Sequence, residues 1–190
     1  IMMKRNLEDY AIKFENFLDK QTCIDAIEQQ KNAKFTQHTF YNSRFNTANT
    51  RSGDKELDVS WDKLPVTSNI MEKLWQAIKD YQNKFNFSWF KRWDGYSQIR
   101  FNKYSENRQM ALHCDHIKSL FEGERKGIPT LSLLGTLNDD YDGGEFVMWD
   151  KKVIPMKTGD LLIFPSNFLY PHKVEPVTKG IRYSYISWVW

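Results

Sequence analysis

Apolar and polar positions change rhythm about halfway along the chain. In the first half, Ala11 to Leu18 alternates and closes on Phe17-Leu18, which predicts a short strand leading into a helix. Thr22 followed by Asp25 reads as a loose N-cap, and Ile24, Ile27 and Gln30 carry that helix on. Residues 42–60 are polar and rich in Asn, Thr, Ser and Arg, and read as a long loop: a lid or binding loop, or equally a surface excursion. A stronger helix follows. Asn69 with Glu72 makes a capping-box-like start, and Ile70, Leu74, Ile78, Tyr81 and Phe85 recur at helical spacing. Such a stripe suits packing on a sheet.

From Tyr96 onward the period falls to two. Ser97 to Tyr104 places Ile99 and Phe101 on one face and Gln98, Arg100, Asn102 and Tyr104 on the other. The second face is either solvent-facing or the wall of a pocket. Further strands are expected at Met110–Asp115, Thr130–Leu137, Glu145–Trp149, Lys152–Met156, Leu161–Phe164, His172–Val177 and Ile181–Val189, separated by turns rich in Gly and Asp. Helices first and short strands second predict an α+β protein: a jelly roll, or double-stranded β-helix, buttressed by N-terminal helices. Without repeats or a linker, residues 1–190 read as one domain, with 1–95 mainly helical support and 96–190 the jelly-roll core.

His113-Cys114-Asp115 carries the candidate chemistry. On a strand His113 and Asp115 share a face and Cys114 turns away. An imidazole and a carboxylate so placed are two legs of a 2-His-1-carboxylate facial triad, which holds ferrous iron and leaves positions open for reaction. The third leg expected is His172. The same tripeptide also suits a strand with a solvated face, so its neighbours decide. Arg182, at the start of the last strand, lies among aromatic and β-branched residues. A guanidinium there needs an anion, because an unpaired buried charge is costly. The partner is a ligand carboxylate, bound through the fork of the guanidinium, or an acid on a neighbouring strand such as Glu145.

Composition narrows the classes. With 190 residues, 41% hydrophobic and 15% aromatic, the chain supports a core and argues against disorder. Its 27 basic and 24 acidic residues are mixed, and a net charge of +3 gives no footprint for nucleic acid. No apolar run approaches a membrane span, and Ile1-Met2-Met3-Lys4-Arg5-Asn6 has no signal-peptide core. Two cysteines, Cys23 and Cys114, imply neither a disulfide framework nor a zinc knuckle, and a reducing, cytoplasmic setting is expected. His38 and His116 read as bystanders, the first on the surface and the second turned from the site. The charged stretch Lys118–Gly127 is expected to be a substrate-facing or a solvated loop.

The order His113-x-Asp115, His172, Arg182 resembles the Fe(II)/2-oxoglutarate-dependent dioxygenases, and within them the prolyl 4-hydroxylase branch. Phe17–Cys23 resembles the family's opening strand-to-helix step. Leu137–Phe146 resembles its turn between core strands, and Gly159–Phe164 the strand before the distal histidine. The resemblance implies a cofactor set of Fe(II), 2-oxoglutarate and O2, with ascorbate as a reductant. It implies that His113, Asp115 and His172 bind iron and act in catalysis, and that Arg182, helped by Tyr104 or Thr136, grips the far carboxylate of 2-oxoglutarate. Trp188, six residues after Arg182, falls where related hydroxylases carry a tryptophan near the substrate. Arg100, Asn102 and Trp188 are the substrate-contacting candidates, and Leu133, Phe164 and Trp188 the expected dry wall. Two departures touch the pocket wall: Met110 and Thr136 stand where many or some prolyl hydroxylases carry tyrosines. Asp115 argues for hydroxylation, because related halogenases replace this carboxylate.

The function these readings imply is hydroxylation of prolyl residues in a peptide or protein, coupled to decarboxylation of 2-oxoglutarate to succinate. The alternative is the same chemistry on a free amino acid or small metabolite. A non-catalytic or zinc-holding jelly roll is a third reading, which Arg182 and Tyr104 count against. No nucleic-acid or membrane partner is expected.

Overall fold

The computed structural model describes residues 5–42, 47–49, 53–115 and 129–190. His116 and Lys118–Gly127 lie outside the described residues, as do the first four residues and parts of 42–60.

The first half begins with a 3-10 turn (Leu7–Tyr10), strand β1 (Ile12–Phe14) and helix α1 (Lys20–Gln29). The cap of α1 is Asp19, whose carboxylate accepts from the backbone N–H and the hydroxyl of Thr22 at 2.8 and 2.9 Å. Thr22 is thus a partner of the cap, and the helix opens two residues before the cap expected from sequence. Short strands β2 (Thr36–Gln37), β3 (Phe40–Asn42), β4 (Thr47–Asn49) and β5 (Asp58–Ser60) come next, so the polar 42–60 stretch contains sheet structure. Helix α2 (Thr67–Phe85) starts ahead of Asn69 and has no side-chain cap bond. Gln29 secures its start by accepting from the Val66 N–H at 2.9 Å. Its expected stripe is as drawn: Ile70, Leu74, Ile78 and Tyr81 are buried.

The second half is β-structure. Strands β6 (Arg100–Tyr104), β7 (Met110–His113), β8 (Leu131–Thr136), β9 (Asp142–Gly143) and β10 (Phe146–Met148) are followed by β11 (Lys152–Val153) and β12 (Leu161–Pro165). Then come β13 (His172–Val174), β14 (Val177–Lys179) and β15 (Arg182–Val189). Seven strands form the main sheet in the order β1-β12-β8-β15-β6-β5-β2, all neighbours antiparallel. Four form a smaller sheet, β11-β10-β13-β7. The N-terminal half therefore supplies helices and three strands of the main sheet. The fold is α+β with a jelly-roll core.

Strand parity divides the main sheet between two cores. Ile99, Phe101, Leu131, Leu133, Leu161, Ile163, Tyr185 and Val189 face the helices, against Cys23, Ala26, Ile70, Leu74 and Ile78. Their neighbours Tyr104, Leu134, Leu162 and Phe164 face the smaller sheet, with Met110, Phe146, Met148 and Val174. Both faces are covered, so strand β8 is buried at every position. No helix among the described residues is long and apolar enough to cross a membrane.

Candidate metal and 2-oxoglutarate site

The site lies between the two sheets. His113 ends β7 and His172 begins β13, and the two are direct cross-strand partners. Antiparallel pairing brings their rings to 4.4 Å between centroids. Asp115 sits two residues beyond the end of its strand, and its Oδ1 lies 3.1 Å from His113 Nε2 and 3.3 Å from His172 Nε2. One donor atom from each residue falls within a 4.8 Å group, and all three residues are buried.

The surroundings fix tautomer and orientation. Nδ1 of His113 faces the Ala111 carbonyl at 2.8 Å, and Nδ1 of His172 the Tyr170 carbonyl at 3.0 Å. Each Nδ1 then carries a proton and donates, which turns both Nε2 atoms to the centre, beside Asp115 Oδ1. The far oxygen of the carboxylate, Oδ2, accepts from Ser132 Oγ at 2.6 Å and from the Trp188 indole N–H at 2.9 Å. Ser166 Oγ lies 2.5 Å behind Ser132. Burial disfavours the Asp115 anion, but the two histidines overcome it and hold the carboxyl well below its usual range. Burial also opposes charge on His172, yet Asp115 raises it above the ordinary histidine value. Burial and the neighbouring His172 hold His113 below that value.

Beside these three residues is a pocket of about 300 Å³, counting its solvent-open mouth, with Arg100, Asn102, Tyr104, Leu134 and Phe164 in its wall. Arg182 lies deeper on the same face of β15, opposite Tyr104, and is 1% exposed. Its guanidinium carbon is 4.9 Å from the Tyr104 ring centroid, and Nη1 donates to Ser184 Oγ at 3.1 Å. Among the described residues Nε and Nη2 have no partner, and no carboxylate is paired with this cation, Glu145 included. Thr136 stands opposite Ser184 on β8, its buried hydroxyl also unpartnered. A fully buried cation with two free donors, beside a free hydroxyl, is an incomplete anion site.

Comparison with known proteins decides what was built here. The model of the 2OG-Fe(II) oxygenase superfamily matches residues 99–190, the stretch that holds every ligand atom and the guanidinium. The chain is 36% identical over 95 residues to a PKHD-type hydroxylase of Aliarcobacter butzleri, covering 47% of this chain and 41% of that protein. A PKHD-type hydroxylase of Idiomarina loihiensis is 35% identical over 96 residues, 49% of this chain and 42% of its own length. The match thus spans less than half of these relatives.

The whole fold resembles a Pseudomonas putida prolyl-4-hydroxylase, with a TM-score of 0.66 at 16% identity, over 95% of this chain and 91% of that one. A viral collagen prolyl hydroxylase from Paramecium bursaria Chlorella virus-1 gives 0.63 at 15%, over 95% and 94%. A Trichoplax adhaerens prolyl hydroxylase, solved with a hypoxia inducible factor peptide fragment, gives 0.65 at 17%, over 95% and 83%.

The residues present fit the groups that the superfamily's name implies. Bonds of about 2.0–2.1 Å to a divalent ion place adjacent octahedral ligands about 3 Å apart, close to the spacing of Asp115 Oδ1 from each Nε2. The orphaned donors of Arg182 fit the remote carboxylate of 2-oxoglutarate.

Several site features differ from the sequence expectation. Leu133 belongs to the helix-side core, so it cannot wall the pocket; strand parity gives that place to Leu134. His38 is half-buried, its ring edge-on to Phe40, which in turn meets His113. Trp188 touches the site through the Asp115 carboxylate. Sequence reasoning passed over Ser132, Ser166 and Ser184. The signal for two of them was present: Ser132 shares parity with Thr136, and Ser184 with Arg182.

Proposed function

We propose that this protein is an Fe(II)- and 2-oxoglutarate-dependent hydroxylase acting on prolyl residues in peptides or proteins. The observation that carries the reading is one chamber between the two sheets, with a buried His113/Asp115/His172 cluster on the smaller-sheet side and an unpaired Arg182 on the main sheet. A zinc-holding or purely structural jelly roll has no need of a sunken, unsatisfied guanidinium.

His113, Asp115 and His172 would hold the metal facially, leaving adjacent positions for 2-oxoglutarate and O2. When bound, these groups supply oxidative decarboxylation of 2-oxoglutarate to succinate and an oxidant able to hydroxylate an unactivated C–H bond. The chain binds, orients and shields. Arg182, with Ser184 and Thr136 beside it, would take the remote carboxylate and set the depth of the co-substrate. Ser132 and Trp188 hold Asp115 Oδ2, so Oδ1 is the oxygen that would bind a metal. Leu134, Phe146, Phe164 and Ile186 keep the chamber apolar. A prolyl substrate is supported by the PKHD-type relatives and the prolyl hydroxylase folds. Ascorbate fits as the reductant that restores ferrous iron.

The test is anaerobic addition of Fe(II) and 2-oxoglutarate, which should give a weak visible charge-transfer band that His172→Ala abolishes. Proline-containing peptides incubated in air should then gain one oxygen atom as succinate forms. Absence of the band in the intact protein would overturn the assignment.

A further inference from the structure

The pocket holds a second guanidinium that the reaction as drawn does not use. Arg100 is 7% exposed and lines the chamber. Its Nε donates to Asn102 Oδ1 at 3.0 Å, and its guanidinium carbon lies 5.2 Å from the Trp188 ring. Among the described residues it has no ion-pair partner and its Nη atoms make no hydrogen bond, and the side chain lines the open chamber. Burial lowers the pKa of this cation, and the neighbouring Tyr104 hydroxyl and Asp115 carboxylate oppose that shift.

Asp115 acts on Arg100 without forming an ion pair with it, and its oxygens are already held by Ser132, Trp188 and the two histidines. Nor is Arg100 a spare handle for the co-substrate. Arg100 pairs with Ile186 and Tyr104 with Arg182, so the cations are four residues apart on β15, about 13 Å of strand. Their side chains also face different rings, Arg182 that of Tyr104 and Arg100 that of Trp188. The Trp188 end is the metal end, because its indole N–H holds Asp115. It is also the open end: Trp61, 55% exposed, lies 6.1 Å from Trp188 between ring centroids.

We propose that Arg100 is the substrate's anchor, and that the molecule hydroxylated here carries a carboxylate close to the attacked carbon. The proposal rests on the hydroxylase reading above and narrows its substrate class. The carboxylate enters between Arg100 and Asn102, while the flat faces of Trp188 and Trp61 take the adjoining ring or methylenes. An amino acid, a peptide C-terminus or an acidic side chain beside the target residue all present this chemistry.

Calorimetric titration of the intact protein loaded with Zn(II) and 2-oxoglutarate, which cannot turn over, tests it. The probes are N-acetylproline against N-acetylprolinamide, free proline, and an end-capped Glu-Pro peptide against its Gln-Pro counterpart. The wild type should bind at least one acid about 10-fold or more tighter than its neutral partner. In Arg100→Met the preference should shrink to about 2-fold or less, and Arg100→Lys should retain part of it. Preference for N-acetylproline assigns a terminal carboxylate, and preference for the Glu peptide an acidic side chain. Equal binding of acids and neutral partners, no binding of any acid, or a preference that survives Arg100→Met overturns the proposal. So does a 10-fold loss of 2-oxoglutarate affinity in Arg100→Met, which would give Arg100 to the co-substrate. Failure of the wild type to bind 2-oxoglutarate with metal would instead strike the hydroxylase reading.

Discussion

The indole N–H of Trp188 donates to Asp115 Oδ2 across 2.9 Å, from the last strand of the main sheet to a residue 73 positions earlier. Ser132 approaches the same oxygen from β8. Two donors on one oxygen fix the carboxylate rotamer before any metal arrives. Trp188→Phe and Ser132→Ala are each expected to weaken Fe(II) binding about 10-fold, and the pair by more than either alone. Metal titration followed by calorimetry measures this; unchanged affinity in both variants would remove them from the support of Asp115.

Arg182 sets function against stability. With Nε and Nη2 sealed and unpaired, the ligand-free protein bears the cost of a buried charge. Arg182→Met keeps the volume and removes that cost. It should raise the stability of the ligand-free protein by about 1 kcal/mol, net of the lost Ser184 bond and Tyr104 contact. It should also abolish the thermal shift that 2-oxoglutarate and metal give the wild type. A variant still stabilised by 2-oxoglutarate would show that the anchor lies elsewhere.

Metal loading should depend on pH in a defined direction. Burial opposes charge on His172, but the Asp115 carboxylate and the Tyr170 carbonyl together outweigh it, so in the metal-free cluster His172 holds a proton more tightly than an ordinary histidine. A divalent ion needs that Nε2 bare, so each ion bound releases this proton. Below the raised pKa, affinity should climb about 10-fold per pH unit; above it, the climb should stop. The break should come above pH 6.5, the ordinary histidine value. Zn(II) titrations across pH locate it, and a flat profile would contradict the shared proton.

Gly135 and Tyr185 oppose each other on β8 and β15. A Cβ at Gly135 would come within 1.9 Å of the Tyr185 ring, which is fully buried. Gly135→Ala should cost about 3 kcal/mol in denaturant unfolding. The Tyr185 hydroxyl is sealed without a partner, so Tyr185→Phe should be neutral or stabilising by about 1 kcal/mol.

Much of this architecture was legible because strand parity is a strict code. Once Ile99 and Phe101 were apolar and Arg100, Asn102 and Tyr104 were not, the faces of β6 were assigned, and the structure puts the second set in the pocket wall. His113, Asp115 and His172 converge because two of them share a segment and the third pairs directly across from it. What stayed hidden depends on neighbours distant in sequence. Leu133 and Leu134 are equally apolar, and only a helix on one side and a chamber on the other tell them apart. The start of α2 was misplaced because its support is Gln29, from another helix. Short strands such as β5 are stabilised by the strand beside them, β6, and carry little pattern of their own.

Strand β15 alternates between two duties: Arg182, Ser184, Ile186 and Trp188 serve the chamber, while Tyr185 and Val189 seal the helix side. A single-residue insertion or deletion after Gly180 would exchange the two sets at a stroke. It would drive a guanidinium into the apolar helix-side core and drop tyrosines onto the reactive centre. Length variation among relatives of this protein should therefore gather in the connections and spare this segment, however freely its individual letters drift.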